Sequence, residues 1–268
     1  MDNVKVVAGG GVRPTALEVA RSIDSRLLRV DSEFNVSGKT VLNWGSGDLN
    51  HINGIEGALK IINPPEAVSV ASSKIATLEA LKGEYAVEVT TDTSLALGWL
   101  IQGDVVVGRE LDRGSGGRGI QIFKYSDAVD EALFRSCKLY TKYFKATREY
   151  RLHCGKHADG VYRCFDIQRK GLRTDEDRPT SANFYVRNHE NGFTFVRSEE
   201  GLKCTMDERW QMQAICSLAV QQLGLDFGAV DVRINDSGVV KIIEVNTAPG
   251  LSGTTLANYT NYFETQWS

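Results

Sequence analysis

The amino-acid sequence predicts a mixed α/β protein, on three observations. A short apolar strand at Val4–Ala8 runs into Gly9-Gly10-Gly11 and then a helical pattern, the strand, glycine turn and helix unit of an α/β sheet. The middle of the chain alternates apolar and polar residues in several short runs, the period of half-buried strands. Further on, an amphipathic stretch from Asp207 to Leu223 is stopped by Gly224 and followed by two strands joined by Asn235-Asp-Ser-Gly238. At 268 residues the chain can form one large domain or two to three small lobes.

Taken in order, the first helix spans Thr15 to Ile23, with Pro14 and Thr15 near its start. Val41 begins a second strand that ends in Gly45-Ser-Gly47, and Pro64-Pro65 punctuates the end of this lobe, placed at residues 1–70. The glycines at these strand ends sit where open α/β sheets bind ligands, although plain turns need glycine as well. A central lobe, residues 71–142, opens with the helical pattern Lys74 to Lys82, which has Ser73 available as cap and Gly83 as stop. A helix near Ser94 to Leu100, a strand from Asp104, a strand at Ile120 to Phe123 and a helix from Val129 to Tyr140 follow. The last lobe, residues 143–268, carries strands at Glu149 to His153, Val161 to Gln168, Asn183 to Val186, Phe193 to Val196, Gly228 to Ile234 and Val239 to Val245.

Lys plus Arg total 31 and Asp plus Glu 34, a formal charge of −3 that argues against a broadly basic nucleic-acid surface and leaves a local basic groove open. No apolar run approaches the roughly 18 residues of a membrane span, and the first residues are too few and too charged for a signal peptide. The expected setting is the cytoplasm, or the host cytoplasm if the chain is phage-encoded. Five cysteines, an odd number without C-x-x-C spacing, read as reduced thiols. His153, Cys154 and His157 invite a zinc reading, but a strand through Tyr150 to Cys154 sends His153 and Cys154 to opposite faces.

Two constellations carry chemistry. Gly114-x-Gly116-x-x-Gly119 has the letters of a dinucleotide fingerprint, but a strand follows it where that fingerprint needs a helix. A glycine loop between two strands can fold over a nucleotide, its N–H groups facing phosphates, with Ser115 as hydroxyl donor and Arg109, Arg113 and Arg118 as charge. A plain hairpin turn is the alternative. In the second constellation, Glu244 and Asn246 project from one face of a strand and the short turn brings Asp231 opposite them. Two carboxylates and an amide oxygen make a hard oxygen site suited to Mg²⁺; a solvated acidic hairpin face is the alternative. Gly250, in the sharp turn that follows, is a candidate N–H donor to an oxyanion.

These residues resemble the ATP-grasp superfamily, and within it the carboxylate-amine ligases. Glu244-Val-Asn-Thr-Ala-Pro-Gly250 looks like the closing motif of D-alanine-D-alanine ligases, and Asp231, 13 residues before Glu244, is similar to that family's metal spacing. The resemblance covers about residues 70–256. It implies an ATP-grasp fold with a small N-terminal substrate lobe and two lobes clamping ATP. It also implies that Lys74 and Arg109, the latter where the family usually has lysine, bind phosphates together with Ser115, Gly116, Gly117 and Gly119. By the same likeness, Tyr143, Phe144 and Lys145 form the hinge that reads adenine, and Glu149 grips the ribose. Arg151 resembles the arginine of ribosomal-protein glutamate ligases and their small phage-type relatives. Lys170 looks like the lysine facing the terminal phosphate, with Arg169 as competitor. The family arginine two residues before the metal aspartate is absent, Ala229 standing there, and Arg233 or Arg151 is the available substitute.

The activity implied is ATP-dependent amide formation through an acyl phosphate, with Mg²⁺ or Mn²⁺ on Asp231, Glu244 and Asn246. Arg151, Lys170, Arg233 and Gly250 would act at the reacting atoms, and the partners would be a small-molecule or peptide carboxylate and an amine. A small-molecule kinase and a nucleotide-binding module without turnover are the competing readings.

Overall fold

The structure is a computed structural model, and residues 3–9, 13–29, 32–83, 85–114, 117–127, 129–174 and 183–267 are described. Strands β1 (Val4–Ala8), β2 (Arg26–Leu27), β3 (Thr40–Trp44) and β4 (Lys60–Ile62) form a parallel sheet in the order β2-β1-β3-β4, with helix α1 (Arg13–Ser22) linking β1 to β2. Both faces of β1 and β3 are buried, as a parallel sheet requires. This lobe does not close its core alone. Val4, Val6, Ala16, Val19 and Trp44 pack with Phe227, Tyr259, Tyr262 and Phe263 from the C-terminal part of the chain.

Pro64-Pro65, expected to punctuate the end of a lobe, starts a helix. Helix α2 (Pro65–Ser72) takes Pro65 at its first position, where the missing N–H costs nothing, and α3 (Lys74–Ala80) follows at once. Ser73 caps α3 by accepting from the Ala76 N–H at 3.1 Å.

A second sheet, antiparallel, holds β5 (Val89–Thr90), β6 (Val106–Arg109), β7 (Ile120–Phe123) and β8 (Leu139–Lys142) in the order β5-β8-β6-β7, with α4 (Thr93–Ile101) and α5 (Glu131–Ser136) beside it. The helix expected to run to Tyr140 therefore stops at Ser136. Tertiary pairing overrides the local pattern: Tyr140 sits opposite Gly108 on β6, its ring lies 4.8 Å from that of Phe134, and its hydroxyl donates to the Phe134 carbonyl.

The third sheet is antiparallel with five strands: β9 (Arg148–Lys156), β10 (Tyr162–Leu172), β11 (Phe193–Val196), β12 (Phe227–Ile234) and β13 (Val240–Asn246), in the order β11-β10-β9-β12-β13. A short helix α6 (Glu199–Leu202) precedes α7 (Met206–Gln222), which begins with a reciprocal Thr205–Glu208 capping box, and α8 (Thr254–Trp267) ends the described chain. Asn183 to Val186, expected as a strand, is irregular. The Asn183 Oδ1 accepts from the N–H groups of Tyr185 (3.0 Å) and Val186 (3.4 Å), so the side chain turns its own backbone.

The period of two along β9 and β12 divides this sheet chemically. Tyr150, Leu152 and Cys154, with Val230, Val232 and Ile234, pack against α7. The intervening residues, Glu149, Arg151 and His153 with Asp231 and Arg233, face the other way, where α8 covers His153 and leaves the rest to a cavity. Among the described residues no helix is long and apolar enough to cross a membrane.

Candidate functional site

A cavity of about 600 Å³ opens over that polar face. Among the described residues, seven cationic side chains line it (Lys74, Arg109, Arg118, Arg151, Lys170, Arg187 and Arg233) against three carboxylates (Glu149, Asp231 and Glu244), 7 − 3 = 4 more positive than negative charges. The protein concentrates positive potential here, which fits a polyanion.

The cavity floor is an ion cluster. Arg151 and Asp231 lie opposite each other on β9 and β12 and pair in bidentate fashion, Nε to Oδ1 at 2.6 Å and Nη2 to Oδ2 at 2.9 Å. Lys170 donates to Asp231 Oδ2 at 3.0 Å and to Glu149 Oε1 at 2.6 Å, while Arg233 Nε donates to Glu149 Oε2 at 2.8 Å. Burial alone would push the Asp231 carboxyl up, but Arg151 and Lys170 outweigh it and hold the group well below the usual range. Glu149 is lowered in the same way, Lys170 and Arg233 overcoming burial. Burial would also depress Lys170, yet Asp231 and Glu149 leave it raised, so Asp231, Glu149 and Lys170 are charged at neutral pH.

This geometry distinguishes among the residues singled out above. Lys170 lines the cavity, whereas Arg169, its neighbour, turns to the other face and donates to the Gly201 carbonyl. Of the two arginines available for the position lost at Ala229, Arg151 is the one on Asp231, and Arg233 holds Glu149. Glu149, expected at the ribose, is 1% exposed with both oxygens taken by Lys170 and Arg233, so it is a buried anchor for two cations. Lys145 is exposed and does not line the cavity, while Tyr143 and Phe144 line a smaller one beside it with Val87, Val107 and Ile243.

Lys74, first residue of α3, reaches the Gly114 carbonyl at 2.8 Å and lies 3.8 Å from Glu244; burial lowers its pKa. The glycine loop does join two paired strands, with Arg109 opposite Ile120. Ser115 and Gly116 lie outside the described residues, as do Gly10 and Gly11. Gly117 has φ +78° and lies under the segment between β10 and β11: a Cβ there would come within 2.7 Å of Val186 Cγ1. Gly119, at φ +67°, offers its carbonyl to the Glu110 N–H at 2.9 Å. Gly250 lines the cavity near Thr15 and Ala248, where the parallel sheet comes in. There Gly45, at φ +80°, approaches so closely that a Cβ would stand 2.6 Å from that of Ala248.

For a metal, Asp231 and Glu244 are direct partners across β12 and β13, a bulge after Asp231 locally shifts the register, and Asn246 follows two residues on. Glu244 is partly open, and among the described residues the buried Asn246 Nδ2 has no hydrogen-bond partner that would fix its amide. Among the described residues no three His, Cys, Asp or Glu side chains group to hold an ion by themselves. Two carboxylates and an amide oxygen on adjoining strands are hard donors of the type that Mg²⁺ takes, with the rest of its octahedron left to water or phosphate oxygens.

The amino-acid sequence holds no sign of Arg187, 7% exposed, which donates to the carbonyls of Ala146 at 2.8 Å and Thr147 at 3.2 Å and so ties the β10–β11 segment to the β8–β9 connection. No local pattern signals a contact across some 40 residues. His153 is no zinc ligand: its ring sits between the Tyr259 hydroxyl and Gln168, each at 3.0 Å, and burial with nearby Arg151 lowers its pKa to about 3. Because the unfolded chain binds this proton below about pH 6.5 and the folded protein does not, stability should fall with pH from about 6.5 toward 3, by up to about 1.4 kcal/mol per unit. Urea unfolding of His153→Gln against the parent across that window should show the parent losing stability more steeply.

No family model matches the chain, and no curated protein sequence matches it. Solved structures do. N5-carboxyaminoimidazole synthetase from Staphylococcus aureus, complexed with ADP, superposes with a TM-score of 0.69 at 11% identity, over 99% of this chain and 78% of that one. D-alanyl-alanine synthetase A from Vibrio cholerae gives 0.69 at 12% identity, over 100% and 94%. The ATP-grasp ligase PsnB with its minimal precursor, Mg and ADP is similar at 10% identity over 94% and 90%, with a TM-score of 0.65. The chain has the ATP-grasp fold.

Proposed function

We propose that this chain is an ATP- and Mg²⁺-dependent carboxylate-amine ligase that forms an amide through an acyl phosphate. The observation that carries this is the excess of four positive charges among the described residues lining the cavity, set around an Asp231, Glu244 and Asn246 oxygen trio. A triphosphate needs the first and its counter-ion the second. A substrate carboxylate oxygen would attack the γ-phosphorus, the bond to the β-γ bridging oxygen breaking to release ADP; an amine would then displace phosphate from the acyl carbon. Lys74, Arg109 and Lys170 offset phosphate charge, the backbone around Tyr143 and Phe144 reads the base, and the Gly114 to Gly119 loop excludes the water that would hydrolyse the acyl phosphate. Arg151 and the Gly250 N–H are placed to stabilise oxyanions. Asp231, Glu244 and Asn246 would hold Mg²⁺, which would supply charge neutralisation to the phosphates. Thr15, Ala248 and Gly250, where the parallel sheet meets the cavity, mark the acceptor end.

The test is an ADP-release screen over pairs of acids and amines with mass spectrometry of the product. ADP formed only with an acid and an amine, together with an amide product, is the expected result. A stable phosphorylated product without amine would make the protein a kinase. Mg²⁺-dependent ATP binding with no ADP from a broad acid panel would make it a binding module.

A further inference from the structure

Asp231 has a double identity in this site. It belongs to the oxygen trio, yet both of its oxygens are engaged by Arg151 and Lys170, and its side chain is 2% exposed. Glu244, by contrast, is 29% exposed and, among the described residues, pairs with Lys74 at 3.8 Å. One ligand of the trio is therefore held by the same two cations that face the cavity where phosphates would lie. A cation approaching Asp231 meets two fixed positive charges within about 3 Å, a repulsion that the low local dielectric strengthens.

We propose that Arg151 and Lys170 gate Asp231: the carboxylate becomes a metal ligand only when nucleotide phosphates give these two side chains another anion to hold. The exchange keeps charge paired throughout. Asp231 trades guanidinium and ammonium for a divalent ion, while Arg151 and Lys170 trade a carboxylate for phosphate oxygens, and no buried charge is left alone. Glu149 stays on Arg233 during the exchange and tethers Lys170, so the lysine moves by a small displacement instead of leaving the site. The two cations thus delay metal binding until its phosphate partner is present. Metal and triphosphate affinities must rise together and by the same factor, since coupling is reciprocal. The inference takes from the ligase reading only that the cavity holds a nucleotide and a divalent ion.

The test uses Mn²⁺ as the probe, its free concentration followed by electron paramagnetic resonance, with and without the non-hydrolysable ATP analogue adenylyl imidodiphosphate. For the parent protein the analogue should tighten Mn²⁺ binding at least tenfold. Lys170→Gln should bind Mn²⁺ without the analogue several-fold tighter than the parent, although it binds the analogue more weakly. Lys170→Arg, which keeps the charge, should leave nucleotide-free Mn²⁺ binding at the parent level. Lys170→Gln should fold, because Asp231 keeps Arg151 and Glu149 keeps Arg233; Arg151→Gln tests the same point independently through the other cation. Folded neutral variants that bind Mn²⁺ alone no better than the parent would overturn the gate, as would parent affinity indifferent to the analogue. A parent that binds neither analogue nor Mn²⁺ in any combination would instead overturn the ligase reading, and the gate with it.

Discussion

Replacing Glu244 by Gln together with Asn246 by Ala should lower carboxylate-dependent ADP formation at least about a thousandfold, a loss of roughly 4 kcal/mol of transition-state stabilisation. The size follows from what remains. Asp231 alone, clasped by Arg151 and Lys170, offers an ion no second protein carboxylate, because Glu149 is committed to Lys170 and Arg233. The fold should not suffer. Among the described residues Glu244, partly exposed, has one long contact to Lys74 and the Asn246 Nδ2 has no partner, so neither side chain supports the core. ADP release measured on a working acid and amine pair, beside a thermal unfolding curve, separates the two effects. Turnover within tenfold of the parent would remove the trio from the proposed chemistry.

The residues of this site were legible in sequence to the extent that strand alternation reports them. A period of two places Glu149 and Arg151 on one face of β9 and Asp231 and Arg233 on one face of β12, and the short turn at 235–238 brings Glu244 opposite Asp231. Periodicity is silent about partners, because pairing is decided by strand order. That β9 lies between β10 and β12 is what joins Glu149 to Lys170 and Arg151 to Asp231, and it turns an expected ribose ligand into an anchor for cations. The segment around Tyr185 and Arg187 escaped for another reason. Its apolar residues resemble a strand, but the Asn183 side chain satisfies the backbone N–H groups of Tyr185 and Val186, and Arg187 is bonded to carbonyls far away in sequence. Likewise Tyr140 reads as the end of a helix until β6 and β5 supply strands for β8 to pair with.

Trp44→Ala should destabilise the whole protein by about 3–5 kcal/mol, the range for deleting a large buried aromatic. Trp44 ends β3 in the small parallel sheet, yet it is 0% exposed because its ring stacks on Phe227 of β12 at 5.4 Å and meets Tyr259 of α8 edge-on at 5.6 Å. The cavity left behind would be walled by two sheets and a helix, whose strand pairings resist collapse, so little of the lost volume can be recovered. Since Phe227 begins the strand that carries Asp231, and Tyr259 holds His153, the loss should also loosen the floor of the proposed site. Trp44→Phe provides the comparison. It retains most of the stacking surface and removes the indole Nε1–H, which is buried without a partner among the described residues, and so should cost below about 1.5 kcal/mol. Urea unfolding of both variants, monitored by circular dichroism, should give one cooperative transition shifted far more by Ala than by Phe. If Trp44→Ala instead gave two separate transitions, the small sheet would be an independent unit, and the shared core would not be what holds the parallel sheet against the five-stranded one.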